Sequence, residues 1–242
     1  MDRENRRDPR REIIKERLGG IKKIIAVASG KGGVGKSCVA SLLSLALKEK
    51  NVKLGLLDLD IWSPSTHLIL GIKNLSFKED KGIIPPTIEG IRYLSITFYE
   101  SLRALPLRGK ETSEVITELL SITRWEDTKY LIIDMPPGIS DPLLDILRYI
   151  PDSRFIIVTT PSLLAFETVK KLITLLREQK IKIEGIIENM VYGNSIKEEI
   201  EKSGVRVLTS VSYEKDFEKS LGSLKSLRNT RFYKKIKNLR LL

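Results

Sequence analysis

A doubly wound α/β fold, with a mostly parallel sheet and helices on both faces, is the architecture this sequence predicts. Three observations carry it. Short β-branched runs recur along the chain, among them "KIIAVAS" (23–29), "YLIID" (130–134) and "RFIIVTT" (154–160). Each is continuously apolar, as strands buried on both faces are, and lacks the alternation of a half-solvated strand. Helical patterns separate them, which is the spacing of parallel crossovers. The 242 residues suit one large domain, and an apolar share of 41% is ample for a continuous core.

Taken in order, residues 1–20 ("MDRENRRDPRREIIKERLGG") read as a mobile or loosely helical charged arm that ends at Gly19-Gly20. A single domain over 21–242 follows. The arm is charged from its second residue and has no apolar stretch, unlike a secretory signal. The first strand is "KIIAVAS", and 36–50 reads as a helix. "VKLGLLD" (52–58) is the next strand. A region punctuated by Gly and Pro, including "GIIPPTIEG", leads to the strand "IRYLSIT" (91–97). A helix over 112–122 precedes "YLIID", and one after Asp141 precedes "RFIIVTT". Another over 163–179 precedes "IEGIIEN" (183–189), and "VRVLTSV" (205–211) is the last strand. The longest apolar runs are too short to span a bilayer. The expectation is a cytoplasmic protein.

The formal charge of +11 would suit an anionic partner, or simply a lysine-rich surface. A lone cysteine, Cys38, excludes an intramolecular disulfide and an all-cysteine metal site within one chain. Past Glu218 every charged side chain is a cation. In "RFYKKIKNLRLL", Phe232, Ile236 and Leu239 lie at helical spacing between them. Such a basic amphipathic helix either packs its apolar side on the sheet or lies on an anionic membrane. No motif for nucleic acid stands out.

The chemistry concentrates in "SGKGGVGKSC" (29–38). Gly30, Gly32 and Gly35 fit G-x-G-x-x-G, with Asp58 at the distance of a ribose-binding acid. Gly30, Gly35, Lys36 and Ser37 fit the phosphate-binding loop G-x-x-x-x-G-K-[ST]. Both need glycines that let amides close on phosphate at a helix N-terminus. Only a nucleoside triphosphate needs the Lys for its β- and γ-oxygens and the Ser for magnesium, which favours the P-loop over a nicotinamide site. Asp134, at the end of "YLIID", supplies the acid that organises magnesium. Gly138, after Pro136 and Pro137, suits a switch whose amide meets a γ-phosphate. In "LLDLDIWSPS", Asp58 and Asp60 lie two apart and point to one side, one near the metal and one orienting water.

These segments, in this order, resemble a known family. "GKGGVGKS" is similar to the deviant Walker A motif of the MinD/ParA ATPases. "DLDIWSPS", "LRG" (107–109), "DMPPGISD", "VTTPS" and "IIENM" resemble the Mrp branch, whose members carry and deliver iron–sulfur clusters. The resemblance spans about 20–220. It implies an ATPase that dimerises around Mg-ATP, with the loop residues Gly30 to Cys38, including Gly33 and Val34, lining the phosphates. It also implies that Lys31 reaches the nucleotide of the other subunit, that Lys36 serves its own, and that Ser37, Asp58 and Asp134 lie at the magnesium ion. Asp60 would polarise the attacking water, and Asn189 would read adenine. The family's C-x-x-C pair after E-N-M is missing from "ENMVYGNSIKEEIEKSGV". A homodimer of this chain is therefore not expected to hold a cluster in the family's manner. A heterodimer with a cysteine-bearing homologue, or a client apo-protein, would be needed. Ser63 replaces a glycine of the switch, and "SVSYEKD" (210–216) replaces the usual loop beside the base. The alternative is a MinD/ParA-like positioning ATPase docking on membrane or DNA.

Overall fold

The computed structural model describes residues 8–96 and 109–241. Ten strands and nine α-helices are found among them. Helix α1 (Arg10–Leu18) leads to β1 (Lys23–Ser29), and α2 (Lys36–Lys48) to β2 (Leu54–Asp58). Then come α3 (Thr66–Leu70), a two-residue hairpin of β3 (Lys78–Glu79) and β4 (Ile83–Ile84), β5 (Thr87–Ile88) and β6 (Ile91–Ser95). Helix α4 (Gly109–Ile122), β7 (Tyr130–Asp134), α5 (Asp141–Tyr149), β8 (Arg154–Thr159), α6 (Leu163–Glu178) and β9 (Lys182–Val191) follow. The chain closes with α7 (Lys197–Lys202), β10 (Val207–Ser212), α8 (Leu224–Asn229) and α9 (Arg231–Lys237).

The main sheet has the order β10-β9-β8-β1-β7-β2-β6-β5, parallel throughout except for β5 on β6. The apolar runs divide between two cores, as a doubly covered sheet requires. On β1, Ile24, Ala26 and Ala28 face a layer of α1, α4, α5 and α6. Ile25 and Val27 face α2, α3, α8 and α9. The predicted doubly wound fold is the observed one.

Of the expected mobile or loosely helical arm, residues 8–20 are described and hold a docked helix. From residue 10 they form a helix whose Ile14 and Leu18, one turn apart, are buried against the α4–α5 layer. Two apolar side chains among charges are too sparse to announce this in sequence. The basic tail packs its apolar side inward: Phe232, Tyr233, Ile236 and Leu239 are all buried beside α2. Thr230 caps α9 by accepting the Tyr233 N–H at 3.0 Å. Arg228 and Lys237 pair with Glu49, beyond the end of α2, at 2.9 and 2.8 Å. That leaves α9 no free apolar face for a lipid surface. Among the described residues, no helix is long and apolar enough to cross a membrane.

Candidate functional site

Strand β1 lies in the interior of the sheet between β8 and β7, and its C-terminal end runs straight into the glycine loop. Crossover topology places ligands at such strand ends. Gly35 adopts φ +86°, a left-handed conformation that frees the first turn of α2, and a Cβ there would meet Asn189 Nδ2 at 2.3 Å. A Cβ on Gly30 would meet Thr168 Oγ1 of α6 at 2.2 Å, so the loop closes tightly on its neighbour.

Lys36, the first residue of α2, is buried, and its ammonium meets Asp134 Oδ1 at 2.7 Å, Asp60 Oδ2 at 3.7 Å and Ser37 Oγ at 3.4 Å. Asp134 ends β7 in direct register with Asp58 at the end of β2. Both carboxylates are fully buried, and desolvation raises their pKa values above the ordinary carboxylate range, against the opposing charge of Lys36. Their partners differ. Asp134 Oδ2 is buried with no hydrogen-bond partner among the described residues. Asp58 accepts the Asp60 N–H at 3.0 Å and, on its other oxygen, the Thr66 N–H and hydroxyl at 3.2 and 2.6 Å. Strand β2 ends at Asp58, so Asp60 sits in a turn beyond it, where its carboxylate reaches Lys36.

Lys36, Ser37, Lys31, Gly32, Gly33 and Asp60 line one cleft of about 530 Å³, together with Trp62, Ser63 and Leu68. Lys31 is exposed at its rim. Val34 points elsewhere: its side chain is buried in the α2 core, and its carbonyl accepts the Asn189 Nδ2 hydrogen at 2.9 Å. The Gly138 amide donates to the Ser29 carbonyl, at the end of β1, at 2.9 Å. Leu107 and Arg108 of the "LRG" segment lie outside the described residues.

A second cavity adjoins the first across Gly35 and Cys38. Asn189, Tyr213 and Glu214 line it, with Phe217 and Phe232 at 5.2 Å between ring centroids. The Glu214 carboxylate accepts the Arg231 and Phe232 N–H groups, each at 3.2 Å, and so ties this wall to the start of α9. Burial pushes the Cys38 thiol up to about 12, leaving it protonated at neutral pH. Sequence reasoning placed the 210–216 loop near a base but missed the two phenylalanines, which look like core residues of a tail. Thr66 and Tyr93, behind Asp58, were also missed.

One cleft lined by a glycine loop, a buried lysine and Asp60, with the strand-end Asp134 paired to that lysine, joined to a cavity of aromatic and amide groups, defines a P-loop nucleoside triphosphatase. A family model described as a ParA-type NUBPL iron-transfer P-loop NTPase matches residues 20–226. The chain belongs to that family. It is 43% identical over 173 residues to an iron-sulfur cluster carrier protein of Rickettsia felis, covering 71% of this chain and 54% of the relative. It is 40% identical over 182 residues to a cytosolic Fe-S cluster assembly factor Nubp2 homolog of Drosophila pseudoobscura pseudoobscura, covering 72% of this chain and 70% of that one. The chain thus spans little more than half the length of curated relatives such as the Rickettsia protein. Among solved structures, a nucleotide-binding protein of Archaeoglobus fulgidus in complex with ADP matches with TM-score 0.77 and 31% identity, over 90% of this chain and 93% of that one. The cell division ATPase MinD of Pyrococcus furiosus shares the fold, with TM-score 0.67 and 20% identity over 90% and 96% of the two chains.

Proposed function

We propose that this chain is an ATP-hydrolysing switch that dimerises around Mg-ATP and serves iron–sulfur cluster delivery. The observation that carries the reading is Lys36, buried at the first turn of α2 between Asp134 and Asp60. A cation held there neutralises β- and γ-oxygens, while the loop amides and the positive end of α2 cradle them. The site fits magnesium: Asp134 Oδ2 is a buried carboxylate oxygen without a partner among the described residues, and the Ser37 hydroxyl lies beside Lys36. Ser37 and Asp134 would hold the ion, with Asp58 next to them. Bound magnesium neutralises charge on the transferring phosphoryl group. Asp60, 3.7 Å from the Lys36 ammonium, orients the attacking water, and Asn189 with the second cavity takes adenine.

Lys31 is exposed at the cleft rim, and exposed apolar side chains surround the same end of the sheet: Trp62, Leu68, Ile139, Leu164 and Tyr192. A second copy covering that face would bring its Lys31 to this nucleotide and stabilise developing charge. Two copies hold only two thiols, one Cys38 each, and that thiol lies beside the nucleotide cavities rather than on the shared face. A cluster carried as cargo therefore takes its thiolates from a cysteine-bearing homologue paired with this chain, or passes to a client apo-protein.

Sedimentation of the purified chain with Mg and a non-hydrolysable ATP analogue tests the dimer. Wild type should double in mass, and Lys31→Ala should bind the analogue while staying monomeric with turnover lost. A Lys31→Ala chain that dimerises normally would remove the trans role. Recovery of a cysteine-rich homologue from native extract, only with ATP or the analogue, supports the cluster role; binding to anionic vesicles or DNA instead would favour a positioning ATPase.

A further inference from the structure

The two strand-end carboxylates are neighbours in register yet are used differently. Asp134 leaves one oxygen without a partner among the described residues, whereas Asp58 receives three donors. Those donors come from the two ends of one loop. Asp60 N–H is at its start and Thr66, the first residue of α3, at its end, so one carboxylate closes the segment that carries Asp60, Trp62 and Ser63. Ser63 N–H in turn donates to Asp60 Oδ1 at 3.2 Å, which fixes the Asp60 carboxylate from the other side.

A further group stands behind this closure. Tyr93 lies on β6, opposite Leu56 of β2, and its ring is wholly buried among apolar side chains. Its hydroxyl is 2.8 Å from Thr66 Oγ1. Thr66 has one hydroxyl proton, and the carboxylate at 2.6 Å takes it. Tyr93 must therefore donate to Thr66, giving the directed chain Tyr93 to Thr66 to Asp58. Burial and the Asp58 charge both raise the Tyr93 pKa, so the phenol keeps its proton at neutral pH. Packing alone would be served equally by phenylalanine. The hydroxyl also hydrogen-bonds Ser95 on its own strand, but only its bond to Thr66 leads on to Asp58 and the loop.

Building on the ATPase reading above, we propose that Tyr93 is a positioning residue for hydrolysis, acting through Thr66 and Asp58 to hold the 59–65 loop so that Asp60 faces the phosphate cleft. Asp58, in register with Asp134, thereby ties this loop to the phosphate site. Tyr93→Phe removes one oxygen atom and keeps the ring. The chain loses the hydroxyl's hydrogen bonds to Thr66 and Ser95, the first of them in a network that bears on a charged group, so turnover should fall about 5–10-fold while ATP affinity holds. Thr66→Val should lower turnover at least as far, and Thr66→Ser, which keeps the hydroxyl, should restore most of it.

Trp62 supplies a readout independent of turnover. It is 62% exposed on the loop, whereas Trp125, the other tryptophan, is 1% exposed, so iodide quenching and anisotropy decay in the nucleotide-free protein report the loop alone. Tyr93→Phe should make Trp62 more mobile with an unchanged far-UV spectrum. Unchanged Trp62 mobility overturns the proposal, as does a mobile loop with wild-type turnover or an equal loss of affinity and turnover. If the wild-type chain hydrolyses no ATP, the hydrolytic reading fails, and the positioning of the loop then stands or falls on Trp62 alone.

Discussion

The two ends of the cleft proposed to hold the nucleotide, one for phosphates and one for the base, are built by opposite means. At the phosphate end, charged side chains are buried at the tips of adjacent strands and are held by short local segments: Lys36 by its own loop, Asp134 and Asp58 by paired strands. At the base end, Phe217, Phe232 and Glu214 come from the last thirty or so residues of the chain, and their placement depends on α9 being docked through Glu49. Buried charge makes the first end energetically steep, because an unpaired ion in the interior costs several kcal/mol. The second end is made of ring contacts and single hydrogen bonds, each worth about 1 kcal/mol. Substitutions should therefore separate by end.

The largest effect belongs to Asp60→Asn, which removes the group proposed to orient water. We expect kcat to fall roughly 10²–10⁴-fold with ATP affinity nearly unchanged, read by steady-state phosphate release and calorimetry. Lys36→Ala should come next, weakening ATP binding about 10–150-fold, the value of a charged hydrogen-bonded group. If both ends tolerate substitution equally, the comparison breaks.

Asn189→Ala tests the base end. It removes the donor to Val34 O and one wall of the second cavity, so affinity should drop about fivefold with kcat preserved, read by competition with a fluorescent nucleotide. A loss larger than that of Lys36→Ala would reverse the assignment of the two ends.

The smallest effect is expected at Glu49→Gln, which loosens α9 from a distance. Burial pushes the Glu49 carboxyl up, but Lys237 and Arg228 outweigh it and hold it at about 2, against an ordinary 4.5. A depressed carboxyl contributes stability that is complete above pH 4.5 and is lost as pH falls toward 2. Glu49→Gln should thus lower the melting temperature at neutral pH by roughly 2–4 °C, as a loss of about 1 kcal/mol does in a chain of this size. The difference from wild type should shrink in acid, and calorimetry at pH 7 and pH 3 checks the sign.

The same division explains what the sequence disclosed. The parallel strands were legible because each apolar run is buried on both faces, and the phosphate end because its chemistry needs fixed residue types at fixed spacing in one short loop. Asp134 followed from its place at the end of such a run. The base end was less legible: Phe232 and Ile236 show only helical spacing, which suits a core helix or a membrane helix equally. Tyr93 reads as an ordinary strand residue, since nothing local reveals that Thr66 lies above it. Glu188, embedded in "IIENM", hides a structural duty, accepting from Ser195, Ser210 and the Ile196 amide and so fixing the segment after β9. The burial of Ile14 and Leu18 depends on α4 and α5, more than 90 residues away, and is invisible in a local window.

Cys38 stands at the boundary of both cavities, and no second sulfhydryl exists anywhere in the chain. Protonated and half-covered, it should react sluggishly with alkylating reagents, and a seated nucleotide should shield it further. The native molecule therefore carries its own single-site occupancy gauge: the rate of alkylation, followed by mass spectrometry, reads out how full the cleft is without any engineered label.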